Sequence, residues 1–318
     1  MSRILVVAPN WIGDALMAQP LLARLREQHP GARLEVLAPE WVAPVARRMP
    51  EVDEVISAPF RHGPLHLGER WRLGRALKDR QYAQAIVLPN SWKAALVPFF
   101  AHIPVRSGYV GELRYGLLNQ LHRNGKDAMR EHYARLAETP GATAPLPLPQ
   151  PRLRIDAAQV AATRARFGLR EPYVALCPGA EYGPAKRWPY FAELAARLQQ
   201  PAVLLGSAND ATAAAGVDAM NLVGRTTLDE AIDLIAGAER VVTNDSGLMH
   251  VAAALGRPLV ALFGSSSPEK TPPQPGRVRV LWLKPECSPC YERACPLGHF
   301  RCMREMSVDT VLAELERL

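Results

Sequence analysis

Residues 5–16 of the chain read LVVAPNWIGDAL and combine three local patterns in one short stretch. A continuous apolar run, residues 5–8, passes through a short turn into the beginning of a helical pattern. An apolar strand that turns directly into a helix is the repeating unit of a parallel α/β sheet. Asp14 stands near the expected helix start, where Asp is a favoured capping residue. The stretch therefore predicts the fold class and leaves open whether Asp14 is a helix cap or a residue that performs chemistry.

The same strand–turn–helix unit recurs through the first half of the 318-residue chain. Continuous apolar strands that are bounded by Pro, Gly or Asn and separated by helices indicate a parallel sheet covered on both faces. The expected strands are RILVVAP (3–9), RLEVLAP (33–39), DEVISAP (53–59) and AQAIVLPN (83–90), and the expected helices span 14–28, 41–48, 67–80 and 91–101. We infer a doubly wound α/β domain.

Residues 139–151, TPGATAPLPLPQP, interrupt this pattern. Neither a helix nor a sheet accommodates so many prolines, so we interpret the stretch as an inter-domain linker. The pattern then resumes, with strands expected at 173–180, 202–206, 221–224, 240–245, 258–264 and 278–283 and helices at 189–199, 209–215, 228–238, 247–255 and 307–318. The expected domains are therefore 1–150 and 151–306, both Rossmann-like and facing a central cleft. We expect the C-terminal helix, 307–318, to pack on the N-terminal domain.

The composition is that of a globular protein, with 48% hydrophobic and 22% charged residues, so the chain can bury a sizeable core. No apolar run is long enough to span a bilayer, and the first residues do not resemble a signal peptide, so we expect a cytosolic protein. The formal net charge of +7 fits a nucleic acid, an anionic membrane face or a phosphorylated substrate as partner. It also fits a basic surface that serves only solubility.

Polar turns follow two strands of the second half, where ligands of open parallel sheets bind. In PGAEYGPAKRWP (178–189), Gly179 and Ala180 permit a close approach of the backbone, and Lys186 offers a charge for a diphosphate. Pro189 is expected in the first turn of the next helix, which would place Lys186 just before a helix N-terminus. Lys186 also has the plain interpretation of an exposed surface lysine.

The second polar turn lies in TNDSGLMHVAAALGRP (243–258). Here Asp245, Ser246 and Gly247 end a strand and open a helix, whose free N–H groups and positive end form an anion site, with His250 one turn further on. Simple capping by Asp245 or Ser246 is the alternative. The chain contains no GxGxxG fingerprint, no P-loop and no paired acidic DxD motif, which disfavours a dinucleotide-dependent dehydrogenase and a P-loop NTPase.

Together with these two turns, NWIGDALMAQPLL (10–22), ALFGSSSP (261–268) and CSPCYERACPLGHFRCM (287–303) resemble, in order, the type II ADP-heptose:lipopolysaccharide heptosyltransferases of glycosyltransferase family 9. The resemblance covers nearly the whole chain. It implies a GT-B fold and the inverting, metal-independent transfer of L-glycero-D-manno-heptose from ADP-heptose. The implied acceptor is the first heptose of the lipopolysaccharide inner core, that is, Kdo-lipid A bearing one heptose. No cofactor is required besides the donor substrate.

The resemblance also assigns roles to residues. Asp14 is the implied general base, which fits a single displacement because such a reaction needs a base on the acceptor hydroxyl. Lys186 is the implied donor-phosphate ligand. The other implied donor contacts are Asp245, Ser246, Gly247 and His250, with backbone contacts from Gly179 and Ala180. Glu181 and Tyr182 stand where some relatives carry Thr, so side-chain contacts from that stretch are not expected.

For the acceptor, the candidates are residues of the N-terminal half: Asn10, Trp11, Gly13, Arg61, Asn90 and Arg114. The other basic residues there could meet an anionic acceptor or the anionic cytoplasmic face of the inner membrane: Arg70, Arg72, Arg75, Lys78 and Arg106. A solvated helix face remains the alternative for each of them. We expect a cytoplasmic protein in peripheral contact with that membrane.

Four of the five cysteines crowd near the C-terminus as C-x2-C-x4-C-x6-C: Cys287, Cys290, Cys295 and Cys302. A C-x2-C pair suits zinc or an iron–sulfur cluster, although the full spacing is not a standard pattern. A structural metal, reduced thiols and a disulfide therefore remain open, and the implied reaction requires no metal. Cys177, the fifth cysteine, is expected as a buried thiol in a strand.

Three other functions remain as alternatives. The first is type I transfer to Kdo, and the second is another nucleotide-sugar enzyme with the GT-B fold. The third is a non-catalytic protein whose basic charge and cysteines bind nucleic acid, with an affinity that falls steeply with salt. The polar turns at the strand ends argue against this third function, because a nucleic-acid module does not need them, so we expect no nucleic-acid partner.

Overall fold

The computed structural model describes residues 2–60, 63–273 and 276–318. The chain divides into two compact units, 1–151 and 152–318. The division falls one residue from the boundary that the proline-rich linker suggested.

The first unit is built on a six-stranded parallel sheet whose strand order is β3-β2-β1-β4-β5-β6. Its strands are β1 (Arg3–Val7), β2 (Arg33–Pro39), β3 (Glu54–Ala58), β4 (Gln84–Val87), β5 (Val105–Tyr109) and β6 (Gln120–His122). Its helices are α1 (Ile12–Met17), α2 (Gln19–Gln28), α3 (Ala43–Arg47), α4 (Leu67–Leu77), α5 (Leu96–Phe100) and α6 (Met129–Ala134). In the centre of the sheet, Val6 lies opposite Val36 and Ile86, and all three side chains are buried, as expected for strands covered on both faces.

The second unit has the same topology, with the strand order β9-β8-β7-β10-β11-β12. Its strands are β7 (Val174–Cys177), β8 (Ala202–Leu204), β9 (Met220–Asn221), β10 (Arg240–Asn244), β11 (Leu259–Phe263) and β12 (Val278–Trp282). Its helices are α7 (Ala157–Arg166), α8 (Phe191–Arg197), α9 (Leu228–Gly237), α10 (Gly247–Ala254), α11 (Arg301–Arg304) and α12 (Val308–Glu316). The predicted class, α/β with two doubly wound parallel sheets, is confirmed.

In both units the strand order reverses between two adjacent strands, which are the first and the fourth of that unit along the chain. Ligands of doubly wound sheets bind beyond the carboxyl ends of the strands at this reversal. It lies between β1 and β4 in the first unit and between β7 and β10 in the second. The polar turns singled out from the sequence follow β1, β7 and β10, so the topology places them at the two reversals.

Several elements differ from expectation. The helix expected at 14–28 is two helices, α1 and α2, separated at Ala18, because Pro20 in the first turn of α2 has no N–H to continue a single helix. The helix expected at 209–215 is wrong. Residues 208–210 form one 3₁₀ turn instead, closed by hydrogen bonds from the backbone N–H (2.9 Å) and hydroxyl (2.8 Å) of Ser207 to the Asp210 carboxylate.

The expected place of the C-terminal helix is also wrong. The apolar face of α12, formed by Val308, Val311 and Leu315, is buried in the core of the second unit, next to α8, β11 and β12. The Trp188 indole N–H donates to the Met306 carbonyl at 2.8 Å and holds the chain where it enters this helix. The helix therefore completes the second domain.

Candidate functional site

A network of charged and polar side chains lies beyond the ends of β7 and β10 in the second unit. Lys186 Nζ donates to Asp245 Oδ2 at 2.5 Å, and the Ser266 hydroxyl donates to the same oxygen at 2.5 Å. Asp245 is only 6% exposed, so its negative charge is removed from water and is balanced by the lysine. The structure thus brings together two residues predicted from the sequence and adds Ser266, which the sequence reasoning missed although ALFGSSSP was among the matched blocks.

Asn244 joins the two turns of this network. Its side-chain amide N–H donates to the Pro178 carbonyl at 2.8 Å. Its side-chain oxygen accepts a hydrogen bond from the backbone N–H of Trp188 at 3.1 Å. The side chain is fully buried, so both hydrogen bonds are shielded from water. Asn244 therefore fixes the start and end of the Lys186 turn against the end of β10. The sequence signal was its place at the end of a strand, directly before Asp245.

The N-terminus of α10 lies next to Asp245. Ser246 is its N-cap residue, with extended backbone angles, and within the described residues no side-chain hydrogen bond caps this helix. The Ser246 hydroxyl lies instead 3.2 Å from the Thr243 hydroxyl. The alternative of simple capping is therefore wrong, and the first-turn N–H groups of α10 are oriented for an anion. Gly247 is the first residue of α10, and His250 is buried within the helix.

The turn after β7 differs in detail from the expectation. Lys186 ends a 3₁₀ turn, Pro184–Lys186, and α8 begins only at Phe191. The expected place of Pro189 in the first turn of that helix is therefore wrong, and Lys186 lies further from the helix N-terminus than expected. Its surroundings are cationic and aromatic, because Lys186 Nζ lies 5.0 Å, and the Arg293 guanidinium 5.3 Å, from the centre of the Tyr182 ring.

The structure itself explains why small residues stand at positions 179 and 180. A Cβ atom at Gly179 would lie 2.1 Å from Cγ of Asp210, so only glycine allows this carboxylate to approach the backbone. Ala180 is buried, and its carbonyl accepts the Gly183 N–H at 3.2 Å. A protein carboxylate therefore accounts for the close backbone approach that the sequence suggested for a ligand.

In the first unit, Asp14 is the third residue of α1. The N-cap position belongs to Trp11, so Asp14 is not the capping residue, although its charge lies favourably in the first turn. The side chain is half-buried, and burial of Tyr133, together with a smaller contribution from the Asp14 charge, raises the pKa of the Tyr133 hydroxyl. The question raised by residues 5–16 is thereby answered in part: Asp14 does not cap α1, and it lies close to a buried, protonated tyrosine.

Other acceptor candidates line the same end of the first sheet. Asn10 lines a cavity of about 50 Å³ formed by residues at the carboxyl ends of β1 to β4, and its carbonyl accepts the Trp41 indole N–H at 2.8 Å. Trp11 is 49% exposed, and Gly13 lies in α1. Lys93, which the sequence reasoning did not single out, also lines this cavity.

Arg114 has a different role from the one expected. It is 1% exposed, and burial lowers the pKa of its guanidinium to about 10. Its guanidinium donates hydrogen bonds to the carbonyls of Tyr109 (2.6 Å) and Pro89 (2.5 Å) and to the side-chain oxygen of Asn90 (3.3 Å). Direct contact with an acceptor is contradicted by this burial, and Arg114 holds the loop of Asn90 in place.

Two other basic candidates also donate hydrogen bonds to backbone carbonyls. Arg70 is buried and donates to the Leu65 carbonyl, while Arg106 donates to the carbonyls of Leu117 and Ile103. Arg72, Arg75 and Lys78 are exposed. Arg61 lies outside the described residues.

The five cysteines are all free thiols. Burial raises the pKa of Cys177 in β7 to about 12, as expected for an inert thiol in a strand. Burial also raises the pKa of Cys302 to about 11, with a further contribution from the other three C-terminal sulfurs, which therefore lie close to it.

Comparison with known proteins identifies the family of this chain. The model of glycosyltransferase family 9 (heptosyltransferase) matches residues 70–301. Lipopolysaccharide heptosyltransferase 2 of Escherichia coli (strain K12) is 45% identical, with 99% of this chain and 98% of that protein aligned. Lipooligosaccharide heptosyltransferase 2 of Haemophilus influenzae is 42% identical, with 88% of each protein aligned.

A solved structure shows the same similarity in three dimensions. The structure of E. coli ADP-heptose LPS heptosyltransferase II matches with a TM-score of 0.88 and 42% identity, over 100% of this chain and 98% of that one. The expected GT-B fold is thereby confirmed, as is the expected enzyme class. By fold, by full-length similarity and by the family model, this chain belongs to glycosyltransferase family 9, the heptosyltransferase family.

Proposed function

We propose that this enzyme transfers heptose from ADP-heptose to the first heptose of the lipopolysaccharide inner core. The observation that carries the proposal is the network of Lys186, Asp245 and Ser266 beside the uncapped N-terminus of α10. A cation and free helix N–H groups, set at the strand-order reversal, suit the diphosphate of a nucleotide sugar. The names of the similar proteins, heptosyltransferase 2, support both the sugar and the position of transfer.

The proposed reaction is a single displacement, which inverts the configuration of the transferred sugar. The acceptor hydroxyl oxygen attacks the anomeric carbon of the heptose, and the Asp14 carboxylate takes the hydroxyl proton. The bond between the anomeric carbon and the ADP oxygen breaks, and ADP leaves with the bonding electron pair. Lys186 and the N–H groups of α10 stabilise the negative charge that develops on the leaving group.

Asp245 has a positioning role in this proposal. Free of donor, Lys186 is bonded to Asp245, which keeps its ammonium group at the end of β10. A bound diphosphate competes for the same ammonium group, while Ser266 continues to hold the Asp245 carboxylate. The lysine is therefore oriented before the donor arrives, which lowers the cost of ordering it on binding.

The deciding experiment supplies the purified protein with ADP-heptose and with core acceptors that carry no heptose or one heptose, and detects product by mass spectrometry. We expect product only with the acceptor that carries one heptose. Product only with the heptose-free acceptor would indicate the type I reaction. No product with either acceptor, although ADP-heptose binds, would exclude this transfer.

We further propose that the enzyme works at the cytoplasmic face of the inner membrane, in peripheral contact with the anionic leaflet. No helix in the described ranges is long and apolar enough to cross a membrane. In the first unit, Leu67 and Trp71 of α4 are 50% and 52% exposed and lie on one helix face with Arg75. Exposed Arg72 and Lys78 flank this face. Exposed apolar side chains beside cations suit a negatively charged lipid surface.

Sedimentation with lipid vesicles tests this contact. Replacing Leu67 and Trp71 together by Ser should weaken binding to vesicles that contain phosphatidylglycerol by about tenfold. Val280→Ser, at an exposed apolar position of the second unit, is the control and should leave binding unchanged. Equal binding of both variants would contradict a role for α4.

A further inference from the structure

The segment between β12 and α11, residues 283–300, has no regular secondary structure and only one buried side chain, Ser288. A stretch of this length buries too little apolar surface to offset the entropy lost when its backbone is ordered. Long irregular segments in compact domains are uncommon, and small modules without a core of their own are usually held by disulfides or metal ions. A covalent or coordinate cross-link is therefore the expected means of stabilising this segment.

The four cysteines of this region converge on one place. Cys287, Cys290, Cys295 and Cys302 all line a single cavity of about 20 Å³. Cys302 reaches it from α11, whereas the other three belong to the irregular segment. Four thiols separated along the chain are thus gathered around one small space, which is the ligand set that zinc or iron prefers for tetrahedral coordination.

The backbone around these cysteines is turned sharply. Tyr291, directly after Cys290, has φ = 57°, and Phe300 has φ = 53°, which is unfavourable for residues other than glycine. The Phe300 N–H donates to Cys295 Sγ at 3.4 Å, so this sulfur lies against the turn that leads into α11. Left-handed residues persist only where their surroundings hold them. A metal ion bound by the adjacent cysteines would do so.

We propose that Cys287, Cys290, Cys295 and Cys302 bind a single zinc or iron ion through four thiolates, as a structural centre of the second unit. Among the described residues, no group of three or more His, Cys, Asp or Glu side chains is arranged to hold a metal ion. Binding therefore requires the four thiols to rearrange around the cavity that they line. The thiols give up their protons to solvent as they coordinate the ion, and no oxidation or reduction is involved.

The proposed metal site would also stabilise the turn that carries Lys186. The Arg293 carbonyl, within the segment, accepts the Ala185 N–H at 3.0 Å, and the Tyr182 hydroxyl donates to the Tyr291 carbonyl. A Cβ atom at Gly183 would lie 2.4 Å from the same Arg293 carbonyl oxygen, so the two segments are in tight contact. This consequence for the donor rests on the proposed role of Lys186, whereas the metal site itself does not.

The first test is the metal content of the full-length protein, purified without an affinity tag and without chelators. We expect about one zinc or iron ion per chain by elemental analysis. Protein stripped of metal and titrated with Co²⁺ should develop the intense sulfur-to-cobalt absorption of thiolate coordination. Metal-free protein that gives no such absorption would overturn the proposal, as would disulfides among these four cysteines detected by mass spectrometry.

Substitutions of single cysteines test which residues bind the metal ion. Cys290→Ser should lose the metal or bind Co²⁺ at least about tenfold more weakly, whereas Cys177→Ala removes a thiol outside the cavity and should keep the metal. An unchanged metal content in Cys290→Ser would exclude this residue as a ligand and overturn the four-thiolate site. If Cys290→Ser does not fold, the Co²⁺ titration of the wild-type protein still decides the question.

Binding of ADP separates this inference from the proposed function. Stripped protein should bind ADP more weakly than metal-loaded protein if the centre braces the Lys186 turn. Equal affinities would remove the link to the donor and leave the metal site standing. Loaded protein that fails to transfer heptose would count against the proposed function alone.

Discussion

The two strand-order reversals of this protein have the same topology but are surrounded by different side chains. In the second unit, Asp245 is buried and already bonded to Lys186 and Ser266, and buried Asn244 fixes the turns around it. In the first unit, Asp14 is half-buried in α1, close to the exposed Trp11. The turns of the second unit are held by an internal ion pair, whereas Trp11, just before the start of α1 in the first unit, is exposed.

This difference matches the ligands that we propose for the two sites. A nucleotide diphosphate has a fixed charge and a compact shape, so a rigid set of donors binds it with little loss of side-chain entropy. A lipopolysaccharide acceptor is large and amphiphilic, and a more open surface with aromatic side chains can accommodate it. Duplicated topology thus supplies two equivalent positions, and the residues after the strands decide what each one binds.

The largest effect that would test this comparison is expected for Asp14. Asp14→Asn removes the proposed base and should lower kcat by about 10²- to 10⁴-fold, with the affinity for ADP unchanged. Steady-state kinetics and calorimetric titration with ADP measure the two quantities. Asp79→Asn, at an exposed position of the same unit, is the control. A variant Asp14→Asn with near-normal kcat would remove Asp14 from catalysis.

A somewhat smaller effect is expected at Lys186. Lys186→Met keeps the length of the side chain and removes its charge, which should lower the transfer rate by about 10²- to 10³-fold and weaken ADP binding. Lys126→Met, at an exposed position of the first unit, should change neither quantity. If ADP bound to Lys186→Met as tightly as to the wild type, the lysine would not be part of the donor site.

The rigidity of the donor side can be tested at Asn244. Asn244→Ala leaves the Pro178 carbonyl and the Trp188 N–H buried without their partner, at a cost of about 1–3 kcal/mol for each group. The free energy of unfolding and the affinity for ADP should both fall, as measured by urea denaturation and calorimetry. Asn209→Ala, at an exposed position, should change stability by less than about 0.5 kcal/mol. Equal stabilities of the two variants would show that the donor side is not held as we describe.

The smallest effect concerns the framework of the first unit, at His122. Burial and the charge of Arg135 lower the pKa of its imidazole, and within the described residues neither ring nitrogen has a hydrogen-bond partner. Below pH 6.5 the unfolded chain binds a proton that the folded chain does not, so stability should fall as pH falls from that value towards the lowered pKa. The slope contributed by this residue cannot exceed about 1.4 kcal/mol per pH unit.

His122→Phe keeps the ring that lies against Tyr109 and cannot titrate, so its unfolding free energy should depend less on pH between about 7.5 and 5.5 than that of the wild type. Urea denaturation at several pH values measures this, and His29→Gln, at an exposed position, serves as the control. Identical pH dependence of His122→Phe and wild type would show that the buried histidine does not contribute.

The sequence by itself determined the fold class and the positions of the polar turns. Apolar strands such as residues 3–7, and the proline-rich break at 139–151, depend on local composition, so they can be recognised without knowing the rest of the structure. The motifs around Asp14, Lys186 and Asp245 could likewise be identified, because each directly follows a strand. Strands β5 and β6 were missed, since β5 (VRSGY) carries a weak apolar signal and β6 has only three residues.

Only the tertiary structure decided which of these side chains have partners inside the protein. The burial of Arg114 against backbone carbonyls, the pairing of Ser266 with Asp245 and the packing of α12 in the second unit all join residues that are distant in sequence. The sequence shows that an arginine is charged, but whether its guanidinium meets a substrate or a carbonyl depends on which chain segments fold against it. The free energy of such contacts arises from desolvation and geometry, and neither exists until the chain is folded.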